Sequence, residues 1–418
     1  MPLSGPEQPR RAPRRAAPLA IALIVGGAVA GGASLAGRLS PEASQTDEVT
    51  RAVSDSPRLL RLYAARDGEP LWLAKGAVDP ARLAALGALL KQAPTHGRDL
   101  TWLGRAQAAA KLDPLAAEVA LSRLLLNYAD DIRRPGARHA PTFVDPSLLP
   151  AAADLSAVFA SSDLPGLRAA LLAQNRLNPI YDGLRRAYVE APDSRLMANM
   201  NRTRALPAEL GERHVVVNVA AAEVRLYERG EPVRDMKAVV GALDHPTPMI
   251  AARLRHTVLR PYWNIPEDLA QTRFAPLARR LGPQALAAAD IQVLSDWTPD
   301  AEVVSADIVD WAAVETGRKS QRLRQAPGPG NMMGVAKFML PNTMGIYLHD
   351  TPYKGDFKRE RRAFSAGCVR IEDAEGFFQW LHGAPRGKFA DGRPEQAVGL
   401  DDPVPIYILY LTAEPTPV

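Results

Sequence analysis

Apolar and polar positions divide the chain into stretches of different period. Residues 16–37 are apolar almost without interruption, mostly Ala, Leu, Ile, Val and Gly, with no charge until Arg38. A run of about 20 such residues is long enough to span a bilayer as a helix. Residues 38–56 are polar, show little periodicity and read as a linker. From 57 to 206 apolar residues return at helical spacing, and Leu121, Leu125, Tyr128 and Ile132 mark one buried helix face. Asp79-Pro80 and Asp113-Pro114 each set an N-cap before a proline at the first helical position. No strand-like alternation interrupts this block, which predicts an all-helical scaffold domain with no chemistry of its own.

At His214 the period changes. "HVVVNV" is strand-like, and "EVRLYERGEPV" alternates Val224 and Leu226 with Arg225 and Tyr227, with a turn over residues 228–231. "DMKAVVG", "RHTVLRPYWNIP", "MGVAKFML", "MGIYLHD" and "VPIYILYL" read as further strands, and "EDAEGFFQWLHG" as a helix. Residues 266–330 turn helical and polar, like an insertion. The pattern predicts an α+β protein: a mainly β domain over 210–412 with a helical insertion, behind the helical domain, and a tail over 413–418.

Charge changes this picture only at the N-terminus. The formal charge is +5, but the first 40 residues hold five arginines and one glutamate, which leaves about +1 for everything else. A near-neutral body predicts no nucleic-acid partner. Arg10, Arg11, Arg14 and Arg15 precede the apolar run, so residues 1–15 are expected to stay in the cytoplasm and 16–37 to form a transmembrane anchor. The alternative is a cleaved signal peptide, with Ala28-Val29-Ala30 as a small-residue cleavage site. Both readings put the body of the chain outside the cytoplasmic membrane, in the periplasm, and the uncleaved one anchors it to the inner membrane. One cysteine and seven scattered histidines give no zinc spacing, and no phosphate-binding glycine fingerprint is present, so no metal or cofactor is expected.

The single cysteine, Cys368, stands in "RAFSAGCVRI". It is either a small buried apolar residue or a nucleophile, and an oxidising compartment favours a thiol kept for its reactivity. His349 lies nineteen residues earlier at the end of a predicted strand, and Cys368 begins another. The two side chains can therefore meet at the strand ends, where a histidine lowers a thiol pKa and shuttles its proton. Gly367 lets the backbone turn sharply and would free the amides of Gly367 and Cys368 for an oxyanion. There is no second cysteine for a dithiol oxidoreductase.

The wording of these stretches resembles the L,D-transpeptidases with a YkuD-type catalytic domain, in particular the Gram-negative branch with a helical scaffold domain. The matching text is "HPTP" at 245–248, "RQAPGPGN" at 324–331, "AKFMLPN" at 336–342, "YLHDTP" at 347–352 and "RAFSAGCVRI" at 362–371, with weaker support from "AARDGEPLWL" and "LLLNYADDIR". The resemblance implies a β-sandwich-like catalytic domain with a helical capping insertion, and a cysteine acyl-enzyme. Its implied substrate is a peptidoglycan tetrapeptide stem as donor and a second stem as acceptor, giving a crosslink between two meso-diaminopimelates with loss of D-alanine. Cys368 would be the nucleophile, His349 the base and Gly367 the site of the oxyanion amides. Where the wider family most often has histidine and asparagine, this chain has Ala366 and Arg370, as the scaffold-bearing branch usually does. Arg370 shares the strand face of Cys368 and would clamp a stem carboxylate or else make a structural ion pair. Tyr347 shares the face of His349 and would line the pocket or merely pack. Ser365 would position the His–Cys pair or act as a turn hydroxyl. Trp263 and the insertion would cap the cleft. No small wall-binding domain fits between scaffold and catalytic parts, and a monomer is expected. Rival outcomes are an L,D-carboxypeptidase, a protein-to-wall attaching enzyme, and an inactive wall-binding scaffold.

Overall fold

A computed structural model describes residues 41–136 and 140–413. The expected membrane segment and basic N-terminus lie outside the described residues. Among the described residues no helix is long and apolar enough to cross a membrane.

The region expected to be a linker contains a helix, Pro41–Ala52. Its periodicity is easily missed because Val49, with Val53 just past the helix end, supplies the contact with the scaffold core. The scaffold is built chiefly from helices, among them Pro57–Ala64, Pro80–Leu90, Thr101–Ala109, Pro114–Arg133, Leu164–Ala173, Pro179–Glu190 and Ser194–Thr203. The caps form as the sequence requires. Asp79 accepts from the amides of Ala81 and Arg82, and Asp113 from that of Ala116, each ahead of its proline. Leu121, Leu125, Tyr128 and Ile132 are all fully buried. The block is not purely helical. Leu73–Ala74 and Ala77–Val78 form a small hairpin, and Thr142–Phe143 pairs in parallel with strand Ile250–Leu259 of the following domain. Strands of two residues carry no readable alternation.

In the β domain, Arg213–Asn218 and Glu223–Glu228 form an antiparallel pair, and Glu223–Glu228 pairs in turn with Glu231–Gly241. Arg229 and Gly230 both take positive φ, as a two-residue hairpin turn requires. The sheet continues through Val369–Ile371, Leu348–His349 and Ala336–Met339 on one side, and through Gln396–Leu409 and Ile250–Leu259 on the other. Ala336–Met339 also pairs with Ile250–Leu259, so these eight strands close on themselves. The β domain is therefore a barrel-like closed sheet instead of two stacked sheets. Its interior holds Val215, Val217, Leu226, Phe338, Leu348, Val369, Ile371, Ile406 and Ile408, together with Phe377 and Phe378 of helix Ala374–His382.

Closure explains why "HVVVNV" is apolar at successive positions. Val215 and Val217 face the barrel interior, while Val216 joins Ala251, Tyr407 and Leu409 in the scaffold core. The scaffold thus covers the wall that lies across the ring from Leu348–His349 and Val369–Ile371.

The insertion is mixed, not helical. Trp263–Ile265, Ile291–Leu294, Val303–Val304 and Leu323–Gln325 form an antiparallel four-stranded sheet, with short helices such as Ala275–Leu281 packed on it. Its core includes Trp263, Phe274, Trp311 and Met333, and Tyr347 of the barrel packs against it.

Candidate active site

Strand register brings the candidate residues to one face. Leu348–His349 and Val369–Ile371 run parallel, with Leu348 opposite Val369 and His349 opposite Arg370. Leu348, Val369 and Ile371 are fully buried in the barrel interior. Side chains alternate along a strand, so Tyr347, His349, Cys368 and Arg370 share the face opposite the barrel interior, where Tyr347 packs against the insertion. Gly367 has φ 109°, a left-handed conformation that favours glycine, and this sets Cys368 at the mouth of its strand.

Cys368 is partly exposed, and its thiol donates to the carbonyl of Gly345 at 3.5 Å. Burial of the sulfur pushes its pKa up; the amide and hydroxyl of Tyr347 and the charge of Arg370 work in the other direction. The thiol is therefore neutral at rest. Tyr347 is itself held protonated by burial and by the neighbouring thiol, so its hydroxyl remains a donor. That hydroxyl lies 3.5 Å from Met333 Sδ, and the ring stands 5.7 Å from the ring of His349.

His349 is buried, and its Nδ1 lies 2.6 Å from the carbonyl oxygen of Asp350. A carbonyl only accepts, so the assigned tautomer carries the proton on Nδ1 and leaves Nε2 as the basic nitrogen. Burial, reinforced by the positive charge of Arg370, lowers the imidazole pKa to about 3. Among the described residues no hydrogen bond joins His349 to Cys368. The imidazole is neutral and the thiol pKa is raised, so the lowering of the thiol pKa expected from a nearby histidine is not seen in the resting site. In unliganded sites such bonds are often long and tighten only with substrate.

Arg370 is largely enclosed. Its guanidinium stands 3.7 Å from Asp356 Oδ2, and its buried Nε has no hydrogen-bond partner. Ser365 is buried and faces the turn: its hydroxyl donates to the Cys368 carbonyl at 2.6 Å and accepts from the Gly367 amide at 3.2 Å. The Gly367 amide is thus committed, contrary to expectation, while the Cys368 amide donates to no protein acceptor among the described residues. Trp263 sits in the core of the insertion, edge-on to Phe274 at 6.0 Å, so it braces the cap. Among the described residues no cluster of His, Cys, Asp and Glu is placed to hold a metal.

Residues 212–406 match the YkuD L,D-transpeptidase catalytic domain, and residues 57–187 match the Scaffold domain. The chain belongs to the scaffold-bearing YkuD L,D-transpeptidase family. A Haemophilus influenzae protein named "Putative L,D-transpeptidase" is 30% identical over 181 residues, which are 43% of this chain and 35% of that protein. The chain therefore matches only about a third of that relative's length. Among solved structures, an L,D-transpeptidase from Mycobacterium smegmatis is 14% identical over 47% of this chain and 58% of its own, with a TM-score of 0.23. L,D-transpeptidase 3 from Mycobacterium tuberculosis is 12% identical over 47% of this chain and 60% of its own, with a TM-score of 0.24. Similarities this loose say nothing about chemistry.

Several residues around the YkuD site escape a sequence reading. Asp350 is buried, accepts from the Val335 amide at 2.9 Å and pairs with Lys354 at 2.6 Å, tying the histidine strand to the loop that carries Met333. Asp356 faces Arg370 from the loop between histidine and cysteine. "YLHDTP" contained Asp350, but its spacing gave no sign of which group it would meet.

Proposed function

We propose that this protein is a peptidoglycan L,D-transpeptidase that forms crosslinks between two meso-diaminopimelates through an acyl-enzyme on Cys368. The observation that carries the reading is the convergence on one outer face of the chain's single thiol, a neutral imidazole with Nε2 unprotonated, two donors from Tyr347, and an enclosed guanidinium with an unused Nε.

The Cys368 sulfur attacks the carbonyl between diaminopimelate and the terminal D-alanine of a donor stem, and its proton passes to His349 Nε2. The C–S bond forms as the carbonyl π pair moves to oxygen, where the Cys368 amide donates to it. Collapse breaks the C–N bond, and D-alanine leaves with the proton from His349. The side-chain amine of a second stem then attacks the thioester, His349 takes its proton, and the thiol is restored. An imidazole whose pKa lies near 3 gives up a proton readily, which suits delivery to a leaving amine. The apolar run at 16–37 supports a site of action outside the cytoplasmic membrane, anchored to the inner membrane.

Purified protein given a disaccharide tetrapeptide should release D-alanine and yield a crosslinked dimer by mass spectrometry. D-alanine with only a tripeptide monomer would make water the acceptor and overturn the transpeptidase reading. A dimer that retains both D-alanines would overturn the acyl-donor assignment.

Arg370 is the residue for which this reading makes the finer demand. A 3.7 Å ion pair with Asp356 leaves donor capacity for a stem carboxylate, and a guanidinium holds a carboxylate through two parallel bonds that an ammonium cannot copy. Arg370→Lys should lower kcat/KM for the donor roughly tenfold to a hundredfold, the equivalent of about 1.5–3 kcal/mol for a charged hydrogen bond. A lowered Tm with kcat/KM unchanged would instead make Arg370 a brace for the loop carrying Asp356.

A further inference from the structure

The "HPTP" stretch lies outside the set of residues just described, yet through Thr247 it reaches the catalytic turn. Thr247 is fully buried. Its hydroxyl donates to the carbonyl of Gly367 at 2.7 Å and accepts from the amide of Gly241 at 2.9 Å. Its own carbonyl accepts from the Tyr410 hydroxyl at 2.8 Å. Gly241 lets this loop close in: a Cβ there would run into the backbone of His245 and Thr247. The Ala242 amide adds a bond to the Ser365 carbonyl at 2.9 Å.

The consequence lies in the peptide joining Gly367 to Cys368. A trans peptide is planar, and its C=O and N–H point in opposite directions. Thr247 pins the Gly367 oxygen toward the buried loop, so the Cys368 N–H is aimed the other way, toward the outer side on which the thiol is partly exposed. Ser365 meanwhile holds the Gly367 amide and the Cys368 carbonyl on the two flanking peptides. The Cys368 amide is left without a protein acceptor among the described residues.

We infer that Thr247 is a positioning residue that orients the Cys368 amide as the oxyanion donor, acting through the Gly367 carbonyl. This rests on the acyl-enzyme reading above. The single glycine at 367 has φ 109° and little steric hindrance of its own, so without the threonine the peptide plane is free to rotate. The donor would then lose its aim without leaving the site.

Two reactions of the same thiol separate aim from access. Acylation by a carbapenem builds negative charge on a carbonyl oxygen and needs the donor; alkylation by iodoacetamide displaces iodide and does not. Thr247→Val keeps the shape and removes the hydroxyl. It should slow carbapenem acylation roughly tenfold to a hundredfold, somewhat less than the 10²–10³ for deleting a donor outright. Its alkylation rate should stay within about twofold of wild type, and Thr247→Ser should recover most of the acylation rate. Thr247→Val acylated at the wild-type rate would overturn the inference, as would acylation and alkylation falling together. If the valine protein does not fold, Thr247→Ala removes the same hydroxyl and is judged on the same two rates; failure of both to fold would make the threonine structural and also overturn it. Wild-type protein that takes no carbapenem would instead remove the acyl-enzyme reading itself.

Discussion

Cys368→Ala protein is expected to release no D-alanine, form no dimer and take up no carbapenem mass, while unfolding within a few degrees of wild type. The chemical loss should be on the order of 10⁴-fold or more, since without the sulfur no covalent intermediate exists. The fold should tolerate the change because the side chain is small and partly exposed, and its hydrogen bond to the Gly345 carbonyl is long at 3.5 Å. The strand behind it is anchored by Val369 and Ile371, which the substitution leaves in place. The chain has one cysteine, so a covalent adduct on wild type that disappears in the alanine protein maps to one atom. Intact-mass spectra of both proteins with a carbapenem, beside thermal melts, make the measurement. An adduct that persists in the alanine protein would place the nucleophile elsewhere, and a collapsed melting transition would mean that Cys368 packs the turn.

What the sequence disclosed, and what it hid, follows from the range of the interactions involved. Asp79-Pro80 and Asp113-Pro114 were readable because a cap acts on amides two or three residues away. The outward set Tyr347, His349, Cys368 and Arg370 was readable because strand alternation is local, even though the partnering of the two strands is not. Barrel closure rests on Ala336–Met339 meeting Ile250–Leu259, segments separated by the whole insertion, and no local pattern encodes that register. The insertion was read as helical because its strands are only two to four residues long and are separated by polar loops. The fate of the Gly367 amide was misjudged for a related reason. A glycine before a nucleophile implies a turn, but Ser365 takes that amide through a hydroxyl whose rotamer no spacing reveals. Thr247 and Asp356 lie far along the chain or within a polar loop, and only folding shows which group each one meets.

In His349→Ala protein, turnover is expected to fall roughly 10²–10⁴-fold, while the pH dependence of thiol alkylation stays close to wild type. The two halves of this expectation have separate causes. Turnover needs a base and then an acid, and Nε2 of His349 is the group the Asp350 carbonyl leaves available for both. The resting thiol owes nothing to an imidazolium: burial raises its pKa, and the opposing influences come from Tyr347 and Arg370. Removing the imidazole leaves those donors in place, so alkylation should still climb with pH through and beyond 9 in both proteins. The histidine's own shift fixes the acid side of catalysis. Its pKa in the folded protein is lowered from the usual 6.5 to about 3, so at pH 5 the ring is still deprotonated and able to accept the thiol proton. Wild-type carbapenem acylation should therefore persist as pH falls through 6, where an exposed histidine would already have charged. Acylation rates from pH 4 to 8, with iodoacetamide alkylation from pH 6 to 10 on both proteins, test this directly. A wild-type acid limb near 6.5 would show the ring charging in the ordinary range. An alkylation profile displaced to higher pH in the alanine protein would show that His349 sets the thiol's ionisation after all, through an ion pair in the resting enzyme.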